Sequence, residues 1–184
     1  MGSILIAMML VSNSLTISPI GFSGHAAMKP ATIVAKNKIG KDGAFAYNPM
    51  LSVLYRVSRW QFSGAYMRDC FDKNAGYLMA GPYWRVGKYF TLGASVGAFV
   101  RDEVKPYQVK HFDRSGNYNP RSANRENLPL GKMVAGVEVA PMALVTASAE
   151  LPVTKKLGVE FNFATNVALS HLQVGFVWHF GGRK

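Results

Sequence analysis

The segment 172–180 reads L-Q-V-G-F-V-W-H-F, and it limits what the rest of the chain can become. Side chains alternate faces along a strand. One face takes Leu172, Val174, Phe176, Trp178 and Phe180, all large and apolar. The other takes Gln173, Gly175, Val177 and His179, smaller and more polar. A strand of a soluble sandwich can read this way. The clustering of aromatics at one end instead matches the interfacial girdle of a membrane barrel.

Composition points the same way. A length of 184 residues is enough for one domain. Mean hydropathy is only +0.07, and after the N-terminus no stretch approaches the ~20 apolar residues that a spanning helix needs. The 18 glycines and 12% aromatics suit short strands of alternating polarity. The net charge of +11 comes without a basic helix, zinc spacing or an RNA-binding aromatic signature, so no nucleic acid is expected. A surface facing anionic lipid phosphates is the better explanation of that charge. The single cysteine, Cys70, excludes an internal disulfide.

Residues 1–26 read as a secretory leader, with I-L-I-A-M-M-L-V as its apolar core and a cut after Ala26, and 27–184 as the barrel. The n-region, Met1-Gly2-Ser3, carries no Lys or Arg. Alternating segments follow at 30–36, the weakest, then at 45–57, 60–68, 76–86 and 89–100. The closing segments are 132–140, 143–151, 157–169 and 172–180. Short turns are expected at Ser58-Arg59, Gly87-Lys88, residues 152–156 and Ser170-His171. Strands of about 9–11 residues match a tilted membrane crossing. The candidate segments number nine, one more than the expected fold uses, with 30–36 the weakest. The expectation is an all-β, eight-stranded antiparallel up-and-down transmembrane β-barrel, located in the outer membrane and monomeric.

The faces opposite the apolar ones carry Glu138, Glu150, Glu160, Asn162, Arg56 and Arg85. In lipid, an Arg at the midplane costs ~2–4 kcal/mol; inside a narrow barrel these groups pair with each other. Such a barrel is filled by side chains and is no wide pore. Segment 101–129 breaks the alternation and reads as a long extracellular loop. Its Arg101, Lys105, Lys110, Arg114, Arg121 and Arg125 sit among few acids and suit the phosphates of lipopolysaccharide. No catalytic motif of the usual kinds is present. His25, His111, His171 and His179 lack metal-ligand spacing, so neither metal nor cofactor is expected.

Two resemblances add to this reading. Gln173, Gly175, Trp178 and Phe180 have the spacing of the C-terminal signal recognised by the outer-membrane barrel-assembly machinery, except that residues 181–184 extend beyond it. From Arg59 onward the chain resembles the lipid A palmitoyltransferase family. The resemblance rests on M-R-D-C-F-D-K at 67–73, G-P-Y-W-R at 81–85, L-G-A-S-V-G-A at 92–98, and Arg101-Asp102. Pro129, Pro141 and Pro152 fall where that family has prolines that admit lipid sideways, since proline lacks the ladder N–H. The resemblance implies acyl transfer from phospholipid to lipid A. Asp69 and Cys70 would stand for the family's Asp-Ser pair, with His111 borrowed from the loop. The chain departs from the family at Cys70, and at Val34, which stands where the family's strand-one histidine belongs. General-base help is worth typically 10²–10⁴-fold, so the missing histidine favours a non-catalytic barrel. Such a barrel would act at the envelope on lipopolysaccharide or a surface partner; similar small barrels also occur in phage genomes.

Overall fold

A computed structural model describes residues 13–24, 38–39, 45–69, 73–102, 130–166 and 170–181. Eight long strands meander up and down. They are β1 (Asn13–Gly24), β3 (Phe45–Val57), β4 (Trp60–Arg68), β5 (Asn74–Val86), β6 (Phe90–Asp102), β8 (Val137–Pro152), β9 (Leu157–Thr165) and β10 (Ser170–Phe180). Two short strands, β2 (Lys38–Ile39) and β7 (Lys132–Val134), extend β3 and β8. Each long strand is antiparallel to its neighbour in sequence, and β1 pairs with both β10 and β3. The eight long strands therefore form a closed sheet with no free edge, which is what lipid demands of a spanning sheet.

One end of the barrel holds tight turns. Ser58 and Gly87 adopt positive φ there, 56° and 70°. The opposite end carries the longer connections. These ends are called the turn end and the loop end below.

Burial follows the alternation read from the sequence, polar inside and apolar outside. On β3, Asn48, Met50, Ser52, Leu54 and Arg56 are buried, while Tyr47, Leu51, Val53 and Tyr55 are exposed. Outward residues are strongly exposed, as with Leu78 at 74% and Val96 at 67%. Trp60, Trp84, Phe90, Trp178 and Phe180 form an outer aromatic belt near the turn end, and Phe22, Tyr47 and Tyr66 stand near the loop end. Phe22 and Tyr47 touch across the β1–β3 pairing, with ring centroids 5.8 Å apart. A waist of apolar residues between aromatic girdles is the lipid-facing surface of a membrane barrel.

Several sequence expectations are corrected. The barrel's first strand is Asn13–Gly24, inside the segment read as a leader, whereas 30–36 lies outside the described residues. A cut after Ala26 would remove this strand from the mature chain, so the mature N-terminus is the test between the leader reading and closure by β1. The signal was present as period two: Ser14, Thr16 and Ser18 point inward, Leu15 and Ile17 outward. A register shift between Ser18 and Ile20, around Pro19, then moves the inward set to Gly21 and Ser23. Such a bulge breaks strict alternation, and it disguised the strand. The segments 132–140 and 143–151 belong largely to one strand, β8, which runs through Pro141. Ser170-His171 opens β10 and is no turn, and Arg101 lies in β6 and not in a loop.

Candidate functional site

The lumen is lined by side chains that partner one another, and it has two charged layers. Toward the turn end, Arg56 Nη2 lies 2.6 Å from Glu160 Oε1, with both side chains buried. The same nitrogen donates to the Ser148 hydroxyl at 3.0 Å. Thr16 of β1 donates its hydroxyl to Glu160 Oε2, so the closing strand is tied to the buried carboxylate. His179 Nε2 meets Glu150 Oε1 at 2.8 Å. The Arg56 guanidinium sits 5.7 Å from the centre of the Tyr83 ring. Arg85, Thr91 and Ser14 complete the lining of a small polar cavity here. Arg56 Nε and His179 Nδ1 find no hydrogen-bond partner among the described residues. A polar cavity lined by an unpaired donor, Arg56 Nε, and an unpaired ring nitrogen is the kind of site that retains an ordered water.

Midway, Ser52 donates to Gln173 Oε1 at 3.0 Å and Gln173 Nε2 to the Tyr77 hydroxyl at 2.7 Å. Gln61 Nε2 donates to Ser95 at 2.9 Å and to Thr146 at 3.1 Å. Gly93 leaves room for this pair, since a Cβ there would come within 2.5 Å of Gln61 Nε2. Above these lie Met50, Met67, Ala75 and Phe99, packed with Ala65, Tyr77 and Met142. At the loop end Arg101 Nη2 donates to Glu138 Oε2 at 2.7 Å, and Arg101 Nη1 is 3.7 Å from Asp69 Oδ2.

Of the residues nominated for catalysis, only Asp69 is described. It is buried at the end of β4 and braces the turn to β5: its Oδ1 accepts from the Lys73 amide at 2.9 Å, and its own amide donates to Lys73 O at 2.9 Å. Cys70, His111 and Val34 lie outside the described residues, as do Lys105, Lys110, Arg114, Arg121, Arg125 and Pro129. Arg101, assigned from sequence to the basic loop, is instead a lumen cation between Asp69 and Glu138. Pro141 is exposed within β8, opposite Ala98, and Pro152 ends the same strand at the turn end. The two are not brought together. In β10, Gln173 and Gly175 face the lumen, whereas Trp178 and Phe180 face outward at 47% and 49% exposure.

Sequence reasoning found Glu138, Glu150, Glu160, Asn162 and Arg56 as interior groups. It missed Asp69–Arg101–Glu138 as one cluster. The β4–β5 connection and the 13-residue β6 bring Asp69 and Arg101 to one level, and no local spacing encodes that.

A closed barrel with a paired polar interior and an apolar belted exterior defines an integral outer-membrane β-barrel. Comparison of the sequence with known protein families and with curated proteins gives no match. Solved structures of similar fold include Ail, the attachment invasion locus protein of Yersinia pestis, in complex with the heparin analogue sucrose octasulfate. It shows 12% identity, 92% of this chain and 100% of that chain covered, and a TM-score of 0.41. The N-terminal β-barrel domain of Pseudomonas aeruginosa OprF gives 11% identity, 91% and 97% coverage, and a TM-score of 0.45. Neisserial surface protein A gives 10%, 92%, 97% and 0.41.

Proposed function

We propose that this chain is a non-catalytic barrel of the cell envelope that holds the basic segment between β6 and β7 against lipopolysaccharide. The observation that carries this reading is the state of Asp69. Its carboxylate is buried, bonded to the Lys73 amide, and faces Arg101. A general acid or base must be within reach of a substrate proton, and this carboxylate is committed to bracing the loop end from within. The filled lumen supports the same reading, because the ion pairs and the methionine layer block a solute path. With short turns at one end, the long connections belong on the outer face. Lys105, Lys110, Arg114, Arg121 and Arg125 are the side chains of this segment whose chemistry suits charge-assisted hydrogen bonds to lipid A phosphates.

The test uses a host lacking its own lipid A palmitoyltransferase. Expression should leave lipid A masses unchanged, while the refolded barrel retains lipopolysaccharide and loses it when the five basic residues are changed to Gln. A mass gain of one palmitoyl chain, abolished by Asp69→Ala and Cys70→Ala, would replace this reading by acyl transfer. Equal retention by the Gln variant would remove the loop from it.

A further inference from the structure

The methionines of this barrel are segregated in a way its hydrogen-bonded lumen does not require. Among the described residues Met50, Met67, Met79 and Met142 face inward, and only Met133, on β7, stands outside. Met50 and Met67 sit directly opposite each other on β3 and β4 and share one buried cluster, with Met142 packed against it. His171 of β10 brings its Nε2 to 3.3 Å from Met50 Sδ, both residues buried. The two atoms converge over Gly21 of β1, where a Cβ would come within 2.0 Å of the sulfur and 2.9 Å of the nitrogen. Gly21 thus keeps open the spot at which thioether and imidazole meet.

We propose that Met50 and His171, with Met67 beside them, form a binding site for a soft monovalent d10 cation, Cu(I), for which Ag(I) is an air-stable probe. Thioether sulfur selects such ions, and imidazole suits copper. Among the described residues, no group of three His, Cys, Asp or Glu side chains gathers to offer a harder ion a site. Bonds of about 2.3 Å to sulfur and about 2.0 Å to nitrogen, as for d10 zinc, let one ion touch both atoms at their present separation with an angle of roughly 100°. Three neutral ligands leave a monovalent ion its single charge, a smaller burden in a buried layer than a divalent one.

The experiment uses the full chain refolded in detergent, on a Cys70→Ser background so that the thiol does not compete. Ag(I) is titrated calorimetrically, and the X-ray absorption edge of the bound ion is recorded. One equivalent should bind with a mixed sulfur and nitrogen shell. Met50→Leu, His171→Gln and Gly21→Ala should each weaken binding by at least about tenfold. Heat-modifiable gel mobility verifies folding, and Met50→Leu, which conserves volume, carries the test if Gly21→Ala does not fold. Stoichiometric Ag(I) binding that survives in Met50→Leu/His171→Gln, a shell without nitrogen, or no binding by the parent chain overturns the site.

Discussion

Toward its turn end the lumen is held by charge, and toward its loop end largely by thioethers. In the lower half Glu160 takes a guanidinium from Arg56 and a hydroxyl from Thr16, so β1, β3 and β9 are fixed by directional contacts. In the upper half Met50, Met67 and Phe99 pack mainly by apolar contact, with His171 Nε2 at 3.3 Å from Met50 Sδ, and Arg101 reaches two carboxylates rather than one. The lower half is exacting because a buried charge that loses its partner pays its full desolvation cost. The upper half is forgiving because methionine adapts its three torsions to whatever space is offered. Within one barrel wall, the contrast between the halves is therefore carried by the inward side chains, since the same strands run through both.

The largest effect expected is from removing β1. It supplies Thr16 to the lower half and Gly21 and Ser23 to the upper, and it closes the sheet against β3 and β10. Deleting residues 13–24 should abolish the heat-modifiable folded band altogether, because an open edge in lipid leaves unpaired backbone groups that cost several kcal/mol each. Mass spectrometry of the mature protein should accordingly find Asn13–Gly24 retained. A mature chain beginning at residue 27 that still folds would dissolve both halves of the comparison. Next comes Glu160→Gln. It leaves Arg56 with the Ser148 hydroxyl and the Tyr83 ring as its other contacts. Urea unfolding should show a loss of ~3–5 kcal/mol.

The asymmetry between the halves also marks what the sequence disclosed. Strict alternation on β3, β9 and β10 announced which side chains enter the lumen, so Arg56, Glu160 and His179 are placed on the inner face by spacing alone. Where the backbone departs from period two, the reading failed. The bulge at Pro19 breaks the alternation of β1, so the strand was not legible within the segment read as a leader. Pro141 divided β8 into two in the sequence; in the structure it lies beyond the β8–β9 pairing, which ends at Val145, so β6 is its long-strand partner among the described residues. The Arg101–Asp69 contact depends on how the barrel brings distant strand ends to one height. That is a property of shear and closure, which no window of sequence contains.

A smaller loss is expected from Glu138→Gln. Arg101 keeps Asp69 Oδ2 at 3.7 Å as a second carboxylate, so the guanidinium is not stranded. About 1–3 kcal/mol should be lost, the range for a compromised hydrogen bond to a charged group. If Glu138→Gln costs as much as Glu160→Gln, the redundancy of the loop-end pair is unreal. Asp69→Asn combined with Glu138→Gln should then add little, whereas redundancy predicts a more than additive loss.

The smallest effect is expected at Met79, and it tests the forgiving half most sharply. Met79 on β5 stands opposite Gly97 on β6, and Met142 on β8 stands opposite the same glycine from the other side. A side chain at Gly97 is not tolerated, because its Cβ would come within 1.9 Å of Leu78 O. The recess over Gly97 therefore lies between two inward-facing thioethers. Leucine at position 79 has nearly the same volume but a branched end, and volume-conserving swaps of this kind usually cost less than about 1.5 kcal/mol. Met79→Leu should shift the urea midpoint only slightly. Combined with Glu160→Gln it should be additive to within about 0.5 kcal/mol, as for sites without shared partners. A loss near that of Glu160→Gln would mean that the lumen around Met79 is as closely fitted as the ion-pair layer. A clear departure from additivity would mean that the two halves share their packing, and the division of the lumen into an exacting and a forgiving half would fail.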